Sequence, residues 1–124
     1  MKYRAIQRRN PLQPDAPRKW YATPVNAGTV TQREISNDIV ESSSLTRGDV
    51  SHAIDSLLTA IPRYLALGKS VQLGGLGTFR LSFSSKGVDM PQDLNANMIS
   101  GVRVIYTPST ELRGKIRQVR FEKA

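Results

Sequence analysis

Apolar positions follow two different periods along this chain, and the change between them falls at Gly68. Before it, from Thr31 onward, they recur at spacings of three and four, the signature of helices packed by one face. Ile35 and Ile39 define a short amphipathic helix that runs into "ESSS". Val50, Ile54, Leu57, Leu58, Ile61 and Leu65 define a longer one, with Ala53 widening its stripe. Thr31 with Glu34, and Thr46 with Asp49, have the spacing of a capping box at the two helix starts. Pro62 predicts a kink or the start of the last turn, and Gly68 a C′ residue after Leu67. The stripe of the long helix is wide enough to cover a core and still have apolar surface to share, so a partner subunit is expected to complete burial in this lean chain of 124 residues.

After Gly68 the period is two. Val71 and Leu73 alternate with Ser70, Gln72 and Gly74, and Phe79, Leu81 and Phe83 with Arg80, Ser82 and Ser84. The two runs predict a hairpin with "GGLG" as its turn. Val102, Val104 and Tyr106 mark a third strand, with Arg103 and Ile105 on its other face, ended by Pro108. "STELRGKIRQV" then predicts a short basic helix starting at Ser109 or Thr110. "SSKGVDMPQDLNANMISG", from Ser84, reads as a polar loop with one helical turn. At the front, "KYRAIQ" and "KWYATPV" read as strands around the proline-rich "RNPLQPDAPR", a hairpin or pair of edge strands. The expected organisation is an N-terminal extension over 1–30 and an α+β domain over 31–124.

Charge changes the picture. Eighteen Lys and Arg against ten Asp and Glu give a net +8, and the excess sits at the two ends of the chain. Residues 1–20 carry six basic groups and one acidic, and residues 103–124 carry six and two. A polyanionic partner is the expectation. The absence of Cys excludes disulfides and thiolate metal sites and fits a reducing compartment. No apolar run approaches the ~20 residues of a membrane span, and the basic start lacks the apolar region of a signal peptide. A cytoplasmic location is expected.

The glycine cluster invites a phosphate-binding reading, but such a loop must lead into a helix, and this one leads into the strand "TFRLSF". His52 is the single histidine and reads as a surface residue of the long helix, so no metal site and no general base is expected. Asp38, Glu41 and Asp55 read as solubilising charges with Arg33 or Arg47 as partners. No cofactor, small-molecule substrate or enzymatic activity is expected. Trp20 and Tyr21, beside Arg18 and Lys19, have the composition of a base-stacking platform. The plainer expectation is a strand that anchors the extension to the core.

"LGKSVQLGGLGTFRL" resembles the HU and integration host factor family of bacterial histone-like proteins. Gly75, Gly77, Thr78 and Phe79 match that family's G-F-G-T-F turn, with Leu76 in place of its Phe. "YTPSTEL" resembles its F-x-P-G-x-x-L through Tyr106, Pro108 and Leu112, and the match runs from Thr31 to about Ile116. The resemblance implies two helices, a three-stranded antiparallel sheet and a short C-terminal helix in an intertwined homodimer or heterodimer. It also implies binding in the DNA minor groove through β-ribbon arms, whose tip proline wedges between base steps. Here the arm is shortened and nearly neutral: Lys86 stands against Asp89 and Asp93, and Pro91 has no flanking Arg. Arg113 falls where the family has a phosphate-contacting Lys, and Thr110 replaces another. With its extension the whole chain resembles a longer HU-related subfamily, and "RRNP" repeats part of the missing arm tip.

The expected function is weakly sequence-specific, non-enzymatic binding of double-stranded DNA in the nucleoid, with bending or compaction. Arg80 and Arg103 on the sheet, Lys86 in the arm, Arg113, Lys115, Arg117 and Arg120 near the C-terminus, and Arg8 and Arg9 at the front are the expected phosphate contacts. Pro91 and Pro11 are the candidate wedges. Two other readings stand beside it: an HU-derived assembly module whose N-terminal strand adds to a neighbour's sheet, and an RNA-binding role.

Overall fold

The computed structural model describes residues 1–124. After the hairpin strands β1 (Lys2–Arg8) and β2 (Lys19–Pro24) come α1 (Gln32–Glu41) and α2 (Arg47–Ala66). Strands β3 (Val71–Leu73), β4 (Gly77–Ser85) and β5 (Ile99–Pro108) follow, then α3 (Thr110–Ile116) and a two-residue β6 (Glu122–Lys123).

Both long helices begin at the expected threonines, but the caps differ. Thr46 accepts from the Asp49 N–H at 3.1 Å, and the Asp49 carboxylate accepts the Thr46 N–H at 3.1 Å, a complete capping box. At Thr31 only half of the box forms: the hydroxyl accepts from Glu34 at 3.3 Å with no return bond from the Glu34 carboxylate. Bonding to the Thr46 backbone N–H, and then to its hydroxyl, holds the Asp49 carboxyl below its ordinary range. α2 runs through Pro62, which sits one turn before its end. Gly68, at φ +80°, closes it with Gly68 N–H on Leu65 O and Lys69 N–H on Tyr64 O, a Schellman motif.

The chain forms two sheets, ordered β2-β1-β6 and β3-β4-β5. In the second, all pairs are antiparallel, and a bulge between Ser82 and Ser84 shifts the register of the distal end. α2 lies against β3 and β4, and α1 against α2. The core of one chain is minimal: Val50 and Leu65 are its buried apolar side chains, with Ser36 and Gly77 also buried.

Three details depart from the sequence expectation. β4 and β5 extend into the polar stretch as far as Ser85 and Ile99, and the remaining loop holds two 3₁₀ turns, Pro91–Asp93 and Ala96–Met98. Arg47 donates to the Asn37 side chain at 2.7 Å rather than to a carboxylate, and the one ion pair is Lys115–Glu111 at 3.4 Å. The N-terminal hairpin is not anchored to the helical core through Trp20, which is 66% exposed. It is completed instead by β6, which pairs in parallel with β1 through Lys2–Glu122 and Tyr3–Lys123.

Candidate nucleic-acid interface

The glycine-rich turn is a structural joint. Gly74 (φ +46°) lets the chain reverse, and the Leu76 N–H closes the turn on Leu73 O at 2.9 Å. The freed carbonyls then hold the end of β5 and the start of the third helix: Tyr106 Oη of β5 donates to Leu76 O at 2.8 Å, and Ser109 Oγ donates to Gly75 O at 2.5 Å. Ser109 is also the N-cap of α3, accepting from the Leu112 N–H at 3.0 Å. Thr78 pairs with Thr107, and the Phe79 ring lies 5.0 Å from Tyr106. Gly75, Gly77, Thr78 and Phe79 therefore fix where the basic α3 sits relative to the sheet.

Alternation across the β4–β5 register separates two faces. Val71, Phe79, Leu81, Val104 and Tyr106 share one, and Arg80, Ser82, Arg103 and Ile105 share the other. Arg80 and Arg103 thus stand diagonally on one polar face, both exposed. Arg103 Nη1 lies 3.4 Å from Ser84 Oγ and from Gly101 O, held beside the bulge. Lys86 marks the end of the ribbon, where its N–H donates to Met98 O at 2.9 Å. Pro91 opens a 3₁₀ turn in the loop beyond, exposed, between exposed Met90 and Leu94. Arg113 and Lys115 lie on α3, Arg117 is its C-cap, and Arg120 follows it, accepting the Met1 amine at 2.8 Å on its carbonyl.

The N-terminal sheet has an equally clear division. Lys2, Arg4, Ile6 and Arg8 of β1 share a face with Lys19, Tyr21 and Thr23 of β2 and Glu122 of β6. Tyr3, Ala5 and Gln7 share the other with Trp20, Ala22, Pro24 and Lys123. Trp20 and Tyr21 consequently cannot form one stacking platform. The Arg8 guanidinium lies 5.9 Å from the centre of the Tyr21 ring. Arg9 and Pro11 lie in the connecting loop, both exposed. Sequence reasoning missed Lys2, Arg4 and Lys19 as members of this face, although the alternation of "KYRAIQR" carries the signal.

Two sheets with exposed arginines, a glycine joint and a capped basic helix invite comparison with known proteins. The profile of a family described as "HU domain fused to wHTH, Ig, or Glycine-rich motif" matches residues 1–123. The chain belongs to this HU-HIG family. Its match includes the N-terminal hairpin and β6 as well as the helices and the second sheet. Among curated relatives, the HU-HIG chain is 36% identical over 53 residues to the DNA-binding protein HU of Thermus thermophilus, covering 43% of the chain and 55% of that protein. It is 40% identical over 43 residues to the DNA-binding protein HU of Streptococcus mutans, covering 35% of the chain and 47% of the relative. The chain thus spans about half the length of these relatives. A putative bacterial DNA-binding protein from Bacteroides vulgatus shares the fold at TM-score 0.64 and 19% identity, over 98% of this chain and 47% of that one. HU from Anabaena, solved with DNA, matches 73% of this chain and all of its own at TM-score 0.56 and 17% identity. A variant of HU from Thermotoga maritima matches 70% of this chain and 99% of its own at TM-score 0.51 and 18% identity.

No helix of the HU-HIG chain is long and apolar enough to cross a membrane. His52 is exposed on α2, where it makes the smallest contribution to the lowering of the Asp49 pKa.

Proposed function

We propose that this HU-HIG chain is a non-enzymatic, nucleoid-associated protein that binds double-stranded DNA as a dimer, with little sequence preference. The observation that carries the reading is the diagonal placement of Arg80 and Arg103 on the polar face of the β4–β5 ribbon, in a fold shared with HU. Neither arginine meets a carboxylate within the chain. Both are free to neutralise phosphates, with Lys86 at the ribbon end and Arg113, Lys115, Arg117 and Arg120 around α3 adding to the field. No helix presents a base-reading row of Asn, Gln and Arg, which favours backbone recognition over direct readout. Pro91 stands in a loop that also carries Asp89 and Asp93, a poor entrant into a groove lined by phosphates.

Fluorescence anisotropy on a short labelled duplex at about 50 and 200 mM salt tests this. The expected result is tight binding that weakens steeply with salt and depends little on sequence. Arg80→Gln with Arg103→Gln should lower affinity for all duplexes alike and shallow the slope by roughly 0.9 for each phosphate no longer neutralised. No binding at the lower salt would overturn the reading. It would favour the assembly module instead, which the open edge of β2 supports.

A further inference from the structure

Arg8 and Lys19 are direct cross-strand partners at the mouth of the β1–β2 loop. Like charges directly opposite one another destabilise a strand pair. Neither is in an ion pair, although Asp15 lies in the same loop. Beyond them the loop is rigidly shaped. Asn10–Gln13 is a β-turn closed by Gln13 N–H on Asn10 O at 3.2 Å, and the Asn10 side chain accepts the Leu12 N–H at 3.0 Å. Pro11 occupies the turn position that its fixed φ suits, and Pro14 and Pro17 stiffen the return. The residue this turn presents to solvent is not Pro11's ring alone but Leu12, 90% exposed. An isolated exposed leucine needs no explanation. One held at the tip of a stiffened turn, above a pair of cations that no carboxylate neutralises and only the Tyr21 ring faces, has the composition of a minor-groove wedge.

We propose that the N-terminal sheet is a second DNA-binding element, in which a backbone phosphate bridges Arg8 and Lys19 while Leu12 enters the base stack. The inference rests on the DNA-binding reading above. Arg4 continues the cationic face down the sheet, and Lys2 ends it opposite Glu122 of β6. The opposite face carries a single cation, Lys123, opposite Tyr3.

The test uses the full chain and three variants, Lys19→Thr, Lys123→Thr and Leu12→Ala, on a duplex with 2-aminopurine beside a central TpA step, which kinks readily. Lys19→Thr should melt no lower than the wild type, because it relieves the repulsion. It should also bind less tightly, with the salt slope shallower by about 0.9 per hairpin engaged. Lys123→Thr, the same charge change on the other face, should leave the slope unchanged. Leu12→Ala should keep the slope and lose the rise in 2-aminopurine fluorescence that marks unstacking. The proposal is overturned if Lys19→Thr keeps the wild-type slope, if Lys123→Thr shallows it as much, or if Leu12→Ala keeps the fluorescence rise. It is also overturned if the chain binds single-stranded RNA or anionic vesicles through this hairpin in preference to the duplex. Failure of the underlying reading is distinguishable, since the wild type itself would then not bind at low salt.

Discussion

Gly77 and Gly75, two residues apart in one turn, have opposite tolerances. Gly77 is buried at φ +138°, and a Cβ there would strike the Thr107 carbonyl oxygen and crowd Pro108 Cα. Gly77→Ala should therefore cost about 2–4 kcal/mol, read by thermal or denaturant melting. At Gly75 the Cβ would meet only the Glu111 carboxylate, 2.7 Å away at the end of a flexible side chain. Gly75→Ala should cost less than about 1 kcal/mol, chiefly the exposed Glu111–Lys115 pair. Asp49 makes a residue-scale prediction about pH. Its folded pKa lies below its unfolded value, so its contribution is complete above the unfolded value and is lost as pH falls through the folded one. Asp49→Asn should flatten that acid limb of the stability curve. Thr46→Ala should cost about 1 kcal/mol, and Thr31→Ala less, because its box is half-formed.

Elements whose signals are local were legible in the sequence. The caps at Thr31, Thr46 and Ser109, the Gly68 stop and the period-two runs around the glycine turn each depend on neighbours within a few residues. All appear where the pattern put them. The ribbon beyond Ser82 was less legible, because a bulge there breaks the alternation and hides the pairing of Ser85 with Ile99. β6 left no signal at all: two residues form it, and its partner lies at the opposite end of the chain. The candidate site divided the same way. Arg80 and Arg103 could be named from alternation within their strands. The conflict between Arg8 and Lys19 could not, since it arises only when the hairpin register is known.

At the scale of the whole molecule, much apolar surface stays uncovered. It exposes 10643 Å² of accessible surface, against the ~6,600 Å² expected of a compact 13.7-kDa protein. Leu58 is 61% exposed, Phe83 54%, Val102 64% and Val104 57%, on the long helix and the apolar side of the sheet. The dimer proposed above would cover surface of this kind. Its melting temperature should rise with protein concentration in calorimetry, and Val104→Asp should yield an unfolded or aggregated chain. A concentration-independent transition with a folded Val104→Asp variant would sink the dimer. The sheet order β2-β1-β6 adds a constraint of timing. A lone two-stranded hairpin is marginal in water, and β1 gains its second neighbour only from residues 122 and 123. On the ribosome, the helices and the β3–β5 meander can therefore form while the hairpin waits. The N-terminal sheet is thus the last element to close, although two of its strands precede every helix in the chain.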